Sequence, residues 1–125
     1  VASYNYFSDR QKIDQCAKQL RNNLRVVQSN AISGLKDSSC PDNLSGWYAD
    51  LGNNNYYGNC GIDFPTDKKS LVDVVSCRLS PSQVIRFKPL TGETDLGSDL
   101  TITVKPAAAE TPTYTVILGQ GGEIR

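Results

Sequence analysis

The chain has 125 residues and a mass of 13.6 kDa, a length that fits one domain with a real hydrophobic core. Thirteen basic residues balance thirteen acidic ones and the pI is about 6.4, which argues against a globally basic surface for nucleic acid or anionic lipid. There is no histidine, so Ser-His-Asp and Cys-His nucleophile systems and every histidine-containing metal site are excluded.

There is no methionine either, and the chain is read as a mature, processed or trimmed form. No apolar run approaches the ~18 residues that span a bilayer, and no signal-peptide pattern is present. Any targeting segment is therefore expected to have been removed. Cys16, Cys40, Cys60 and Cys77 are spaced 24, 20 and 17 apart, without the CxxC-like knuckle of a structural zinc site. Such scattered cysteines predict two disulfides and a compartment outside a reducing cytosol, with three pairings open.

Val1 to Phe7 is short and aromatic. Ile13, Ala17, Leu20, Leu24, Val27 and Ala31 then recur at steps of three and four, as one helix face requires. Ser8 has the chemistry of an N-cap, with Asp9 in the first turn and Gln11 at the capping-box position. Gly34 supplies the stop. The pattern alone predicts a helix from about Ser8 to Ile32 with a narrow apolar stripe. Arg10, Asp14, Lys18, Arg21 and Arg25 fall on a neighbouring face, and Cys16 lies at the edge of the stripe, in reach of a strand beneath.

The period then changes to two. Gly46 to Leu51 reads as a strand, Gly52 to Asn55 as a turn, and Tyr56 to Cys60 as the returning strand. Leu71 to Cys77, Gln83 to Lys88, Leu100 to Lys105 and Thr113 to Leu118 are further β-rich stretches. In one of them, Thr101, Thr103 and Lys105 alternate with Leu100, Ile102 and Val104. Gly119 to Gly122 makes a tight turn before Glu123 to Arg125. One helix followed by antiparallel-type strands predicts an α+β fold.

No candidate catalytic constellation stands out. Ten Asp and three Glu are dispersed, as solubilising surface acids are, and no enzymatic role or cofactor is expected. The Gly119–Gly122 run has no helix after it, so it is a turn rather than a phosphate loop. Asp50, Asn53, Asn54, Asn55 and Asp63 surround one turn with oxygen ligands but lack the spacing of an EF-hand, and no metal is expected. Trp47, Tyr48, Tyr56 and Tyr57 read first as cross-strand packing, with a sugar or base platform as the alternative. Asn43-Leu44-Ser45 matches a glycosylation sequon that nothing else in the chain requires.

Taken in order, the features resemble a known family. An aromatic-rich start runs into RQKIDQCAKQLRNNLRVVQSNAISG, then GWYADL, VIRFKPLTGE, LTITVK and YTVILGQGGEIR. This is similar to the globular part of type IV pilin-like proteins, most of all the H-type pseudopilins and FimT-type minor pilins. Leu20, Leu24, Val27 and Ala31 approximate the family's helix pattern. Ile85, Phe87, Pro89 and Gly92 match its I-x-F-x-P-x-G strand with one residue inserted before the glycine.

The resemblance implies a pilin-like domain over residues 1–125, with one long N-terminal helix packed on an antiparallel sheet. Residues 1–33 would be the C-terminal half of the pilin helix, and 34–125 the sheet and loops. In the family, a prepilin peptidase removes a leader and an apolar segment anchors the subunit before it enters the filament core. The helix would then continue upstream through Ser8, in conflict with a cap there. The implied role is a structural subunit of an extracellular type IV pilus or secretion pseudopilus, membrane-anchored before assembly, with other pilin subunits and the assembly machinery as partners. Within that role, Cys40–Cys60 would bracket the first hairpin and Cys16–Cys77 would staple helix to sheet.

Arg10, Lys18, Arg21, Arg25 and Arg125 are the candidate contacts to DNA or to neighbouring subunits. Some FimT-type proteins take up DNA through a basic C-terminal tail, but here Glu123 leaves Arg125 as the tail's one base, which lowers the expected affinity. The alternatives are a DNA-binding minor pilin using the helix face and a secreted carbohydrate-binding module using Trp47 and the tyrosines.

Overall fold

A computed structural model of the chain describes residues 2–72, 77–107 and 112–125. Helix α1 runs over Ala2–Ile32, free of proline and glycine, and at ~1.5 Å per residue it is roughly 46 Å long. It passes straight through Ser8, which is therefore a helix-interior residue and not the N-cap its side chain suggests. Capping chemistry acts only where helical neighbours are missing, and here the upstream turn supplies them.

The helix ends as its sequence predicts. Gly34 takes a left-handed φ of 67°, its N–H bonds the Ala31 carbonyl at 3.0 Å, and the Leu35 N–H reaches back to Asn30 at 3.0 Å. That pair of bonds is the Schellman pattern, which only a residue tolerant of positive φ completes without strain.

The strands form two antiparallel sheets rather than one. In the first, the order is β3 (Asp63–Ser70), β2 (Asn55–Asn59), β1 (Gly46–Asp50) and β5 (Val84–Phe87). In the second, β4 (Cys77–Ser80), β6 (Leu100–Pro106) and β7 (Tyr114–Leu118) lie side by side. The segment around Thr94 stitches them. It bridges Phe87 of the first sheet, while its N–H and hydroxyl donate to Gln120 O at 3.0 and 2.8 Å beyond the end of β7.

The helix stripe lies across both sheets. Ile13, Ala17, Leu20, Leu24, Val27 and Ala31 are all buried, against Ala49, Ile85, Phe87, Ile102, Val104, Val116 and Leu118 in one core cluster. Each large aliphatic side chain removed from water in this way contributes roughly 1.5–3 kcal/mol. The half-buried alternation read in Leu100 to Lys105 is present, with Ile102 and Val104 inward.

One expectation fails here. Leu71 and Val72 are not in a strand but form a bend, both side chains buried. Side-chain amides take the place of ladder bonds: Asn54 donates to Val72 O and accepts from Val72 N–H at 2.7 and 2.9 Å, and Asn23 of the helix donates to Leu71 O at 2.7 Å. Residues 73–76 of that stretch lie outside the described residues. Strand β3, by contrast, lies in a stretch, residues 61–70, for which the sequence pattern predicts no element. Its sequence, DFPTDKKS, has no apolar alternation: Phe64 is buried in the core, while Asp63, Lys68, Lys69 and Ser70 are exposed, as an edge strand allows. Disulfides join Cys16 of the helix to Cys77 of β4, and Cys40 to Cys60 at the end of the first hairpin.

Candidate functional surface

Trp47 does not offer a ligand platform. It is 4% exposed, meets Phe64 edge-on at 5.2 Å, and donates its indole N–H to Leu35 O at 3.1 Å. Because side chains alternate along β1, Tyr48 faces the other way and stacks on Tyr57 of β2 at 5.4 Å, while the Lys68 ammonium sits 4.0 Å over the Tyr57 ring. Burial first, and then the nearby carboxylates of Asp63 and Asp50, push the Tyr57 phenol above its ordinary range. The Tyr48 and Tyr57 rings cover one face of each other, and Lys68 lies over the Tyr57 ring.

In the oxygen-rich turn Asp50, Asn53 and Asn54 are engaged by their own chain, while the buried Asn55 Oδ1 has no hydrogen-bond partner among the described residues. Asp50 accepts from the Asn53 backbone and side-chain N–H groups at 3.0 and 2.8 Å, and both ends of the Asn54 amide are used on Val72. Among the described residues no group of three or more His, Cys, Asp or Glu is arranged to hold a metal.

The basic face of the helix is brought together as a row. Arg10, Lys18 and Arg25 are exposed and Arg21 is half-buried beside the apolar stripe. Lys18 pairs with Asp14 one turn earlier at 3.0 Å, an exposed contact contributing a few tenths of a kcal/mol. Among the described residues Arg21 and Arg25 make no ion pair. Arg125 is not part of this row. Its guanidinium bonds Asp99 at 3.0 Å, and its backbone pairs with Ile117, so the tail is a short strand-like addition to β7.

At the far end of the helix three loops converge. Gln28 reaches out of α1 and donates to Gly92 O and Gly122 O at 3.2 and 2.8 Å. The Leu90 N–H caps the Ala31 carbonyl at 2.8 Å. The VIRFKPLTGE segment and the terminal glycine turn, far apart in sequence, are thus both anchored to one helical turn. Leu90 itself is unusual. Its φ is 72°, a region disfavoured for a residue with a branched side chain, and it is 73% exposed. Ile32 and Leu35 beside it are also about half exposed, at 47% and 48%.

This end also carries the exposed carboxylates Asp37, Asp42, Glu93, Asp95, Asp99 and Glu123. Hydrogen bonds from the Ser39 backbone and side chain hold the Asp37 carboxyl below the usual range. The apolar tip and acidic end were missed by the sequence pattern, which finds periodicity within elements and not convergence between loops. One available signal was the charge of the chain segment by segment. Among the described residues, no helix is long and apolar enough to cross a membrane.

No family model matches the sequence, and no curated protein matches it. Among solved structures, the crystal structure of the type IV minor pilin FimU from Pseudomonas aeruginosa superposes with a TM-score of 0.65. The match covers 95% of this chain and 90% of that one at 14% sequence identity. The chain therefore has the α+β pilin fold, one N-terminal helix packed against antiparallel sheet.

Proposed function

We propose that this chain is a structural subunit of an extracellular type IV pilus or secretion pseudopilus, and that it works by assembly rather than catalysis. The observation that carries this is the fold itself, which matches a minor pilin over 95% of the chain and not merely at the helix. The helix supports the reading. Its apolar stripe from Ile13 to Ala31 is buried against the sheets, while Lys12, Lys18, Arg25 and Ser29 are presented outward, with Val26 and Ile32 also exposed. Residues 1–33 act as the C-terminal half of a longer helix and 34–125 as the head. The partners are other pilin subunits and the assembly machinery, with membrane anchoring through an apolar segment upstream.

Two disulfides suit a protein that works outside a reducing compartment. With Trp47 buried and Arg125 tied to Asp99, neither a sugar platform nor a basic DNA-gripping tail gains support. The test is the reading frame upstream of Val1. The subunit reading expects a short basic leader, a cleavage site and about 20 apolar residues. A cleavable secretory signal with no retained apolar segment would overturn it.

A further inference from the structure

The charges of this neutral chain are segregated along its length. Helix α1 carries Arg10, Lys12, Lys18, Arg21 and Arg25 against Asp9 and Asp14, a net +3. The three segments at its far end, residues 33–45, 88–99 and 119–125, carry Lys36, Lys88 and Arg125 against six carboxylates, a net −3. The remainder, residues 46–87 and 100–118, has five bases and five acids and is neutral. One molecule is thus a dipole lying along the helix.

The acidic end has an apolar centre. Leu90 holds a positive φ and is mostly solvent-exposed, a placement that costs backbone energy and gains no burial within one chain. Ile32 and Leu35 lie beside it, and Asp37 and Glu93 follow within three residues of this patch. An apolar centre with a charged rim is the anatomy of a protein–protein contact. The complementary surface on this same chain is the row of Lys18, Arg21 and Arg25, whose aliphatic stems offer apolar area beneath the charges.

We propose that the acidic, Leu90-tipped end of one copy docks on the basic helix row of a second copy of this chain, head to tail. The two patches are different surfaces of one molecule, so the contact is heterologous and does not close into a dimer. Repeated, it propagates as an open chain, the symmetry a filament needs. Opposite charge sets the direction of stacking, and Leu90 fixes the depth of contact. This rests on the subunit reading above and adds to it which faces meet.

Sedimentation velocity on this chain at high concentration tests the contact at about 0.01 M and about 1 M salt, where the screening length falls from roughly 30 to roughly 3 Å. Association is expected at low salt and not at high salt. Arg21→Glu/Arg25→Glu is expected to weaken it by roughly tenfold or more, as is Glu93→Lys/Glu123→Lys. Mixing the two variants restores association, because each then offers the patch that the other lacks. Unchanged circular dichroism keeps a folding defect apart from a lost contact. Absence of association at low salt, an unaffected charge-reversed variant, or a mixture that stays monomeric overturns the proposal. So does a wild-type chain that stays monomeric but binds a short DNA duplex through Arg21 and Arg25. Any of these, found while the chain still co-purifies with surface filaments, removes this contact and leaves the subunit reading standing.

Discussion

Replacing the helix-to-sheet disulfide, as Cys16→Ala/Cys77→Ala, is expected to lower folding stability by about 4 kcal/mol on the chain-entropy model. The bond spans 61 residues, so it removes somewhat more freedom from the unfolded chain than Cys40–Cys60, which spans 20 and is expected to contribute about 3 kcal/mol. Against a total of about 5–15 kcal/mol for a domain this size, the longer bridge is a large share. Urea titration separates this mechanism from lost packing. If the bridge acts on the unfolded state, the midpoint falls and the denaturant slope rises, because the freed chain exposes more surface. A loss below about 1 kcal/mol with an unchanged slope would mean that the buried helix stripe alone holds the helix to β4.

The second large effect is expected at Gly122, where Gly122→Ala should cost about 3 kcal/mol. Its φ is 95°, and a Cβ there would run into the Gln28 amide and the Gly92 carbonyl. Backbone strain and overpacking each contribute roughly 1–3 kcal/mol in such a setting. Gln28→Ala alone is expected to cost about 1–3 kcal/mol, since the carbonyls of Gly92 and Gly122 lose their donor. The two should be less than additive, because removing Gln28 clears one of the two obstacles to the new methyl group. Thermal unfolding of the single and double variants measures this. A neutral Gly122→Ala would mean that the terminal glycine turn is not seated on the helix.

The contrast between these sites shows what the sequence makes legible. The helix stripe was readable because all six positions answer to one period and one partner surface. The strands at Gly46, Gln83, Leu100 and Thr113 were readable for the same reason, each with an inward face of its own. Edge strand β3 was not, since four of its eight residues are charged and no apolar alternation marks an inward face. The Leu71–Val72 segment looked like a strand because both side chains are apolar, yet asparagine amides complete its backbone. The basic row on the helix was legible as a face. Gln28 gave no signal, because a polar residue on a helix flank looks solvated until the loops it holds are placed beside it.

Nor does an apolar residue announce that it is exposed. Leu90 reads as one more hydrophobic position, and only its φ of 72° and its exposure mark it as a surface feature. Ser8 misleads in the opposite sense, offering capping chemistry in the middle of a continuous helix. In both cases the deciding information is what lies on the far side of the residue.

The central claim is tested most directly by shearing surface filaments from cells that express the full-length protein and seeking this chain's peptides by mass spectrometry. The account predicts that they co-purify with the filaments, with Cys16 and Cys77 recovered as one cross-linked pair. Recovery of the chain only from the filament-free secreted fraction would contradict it.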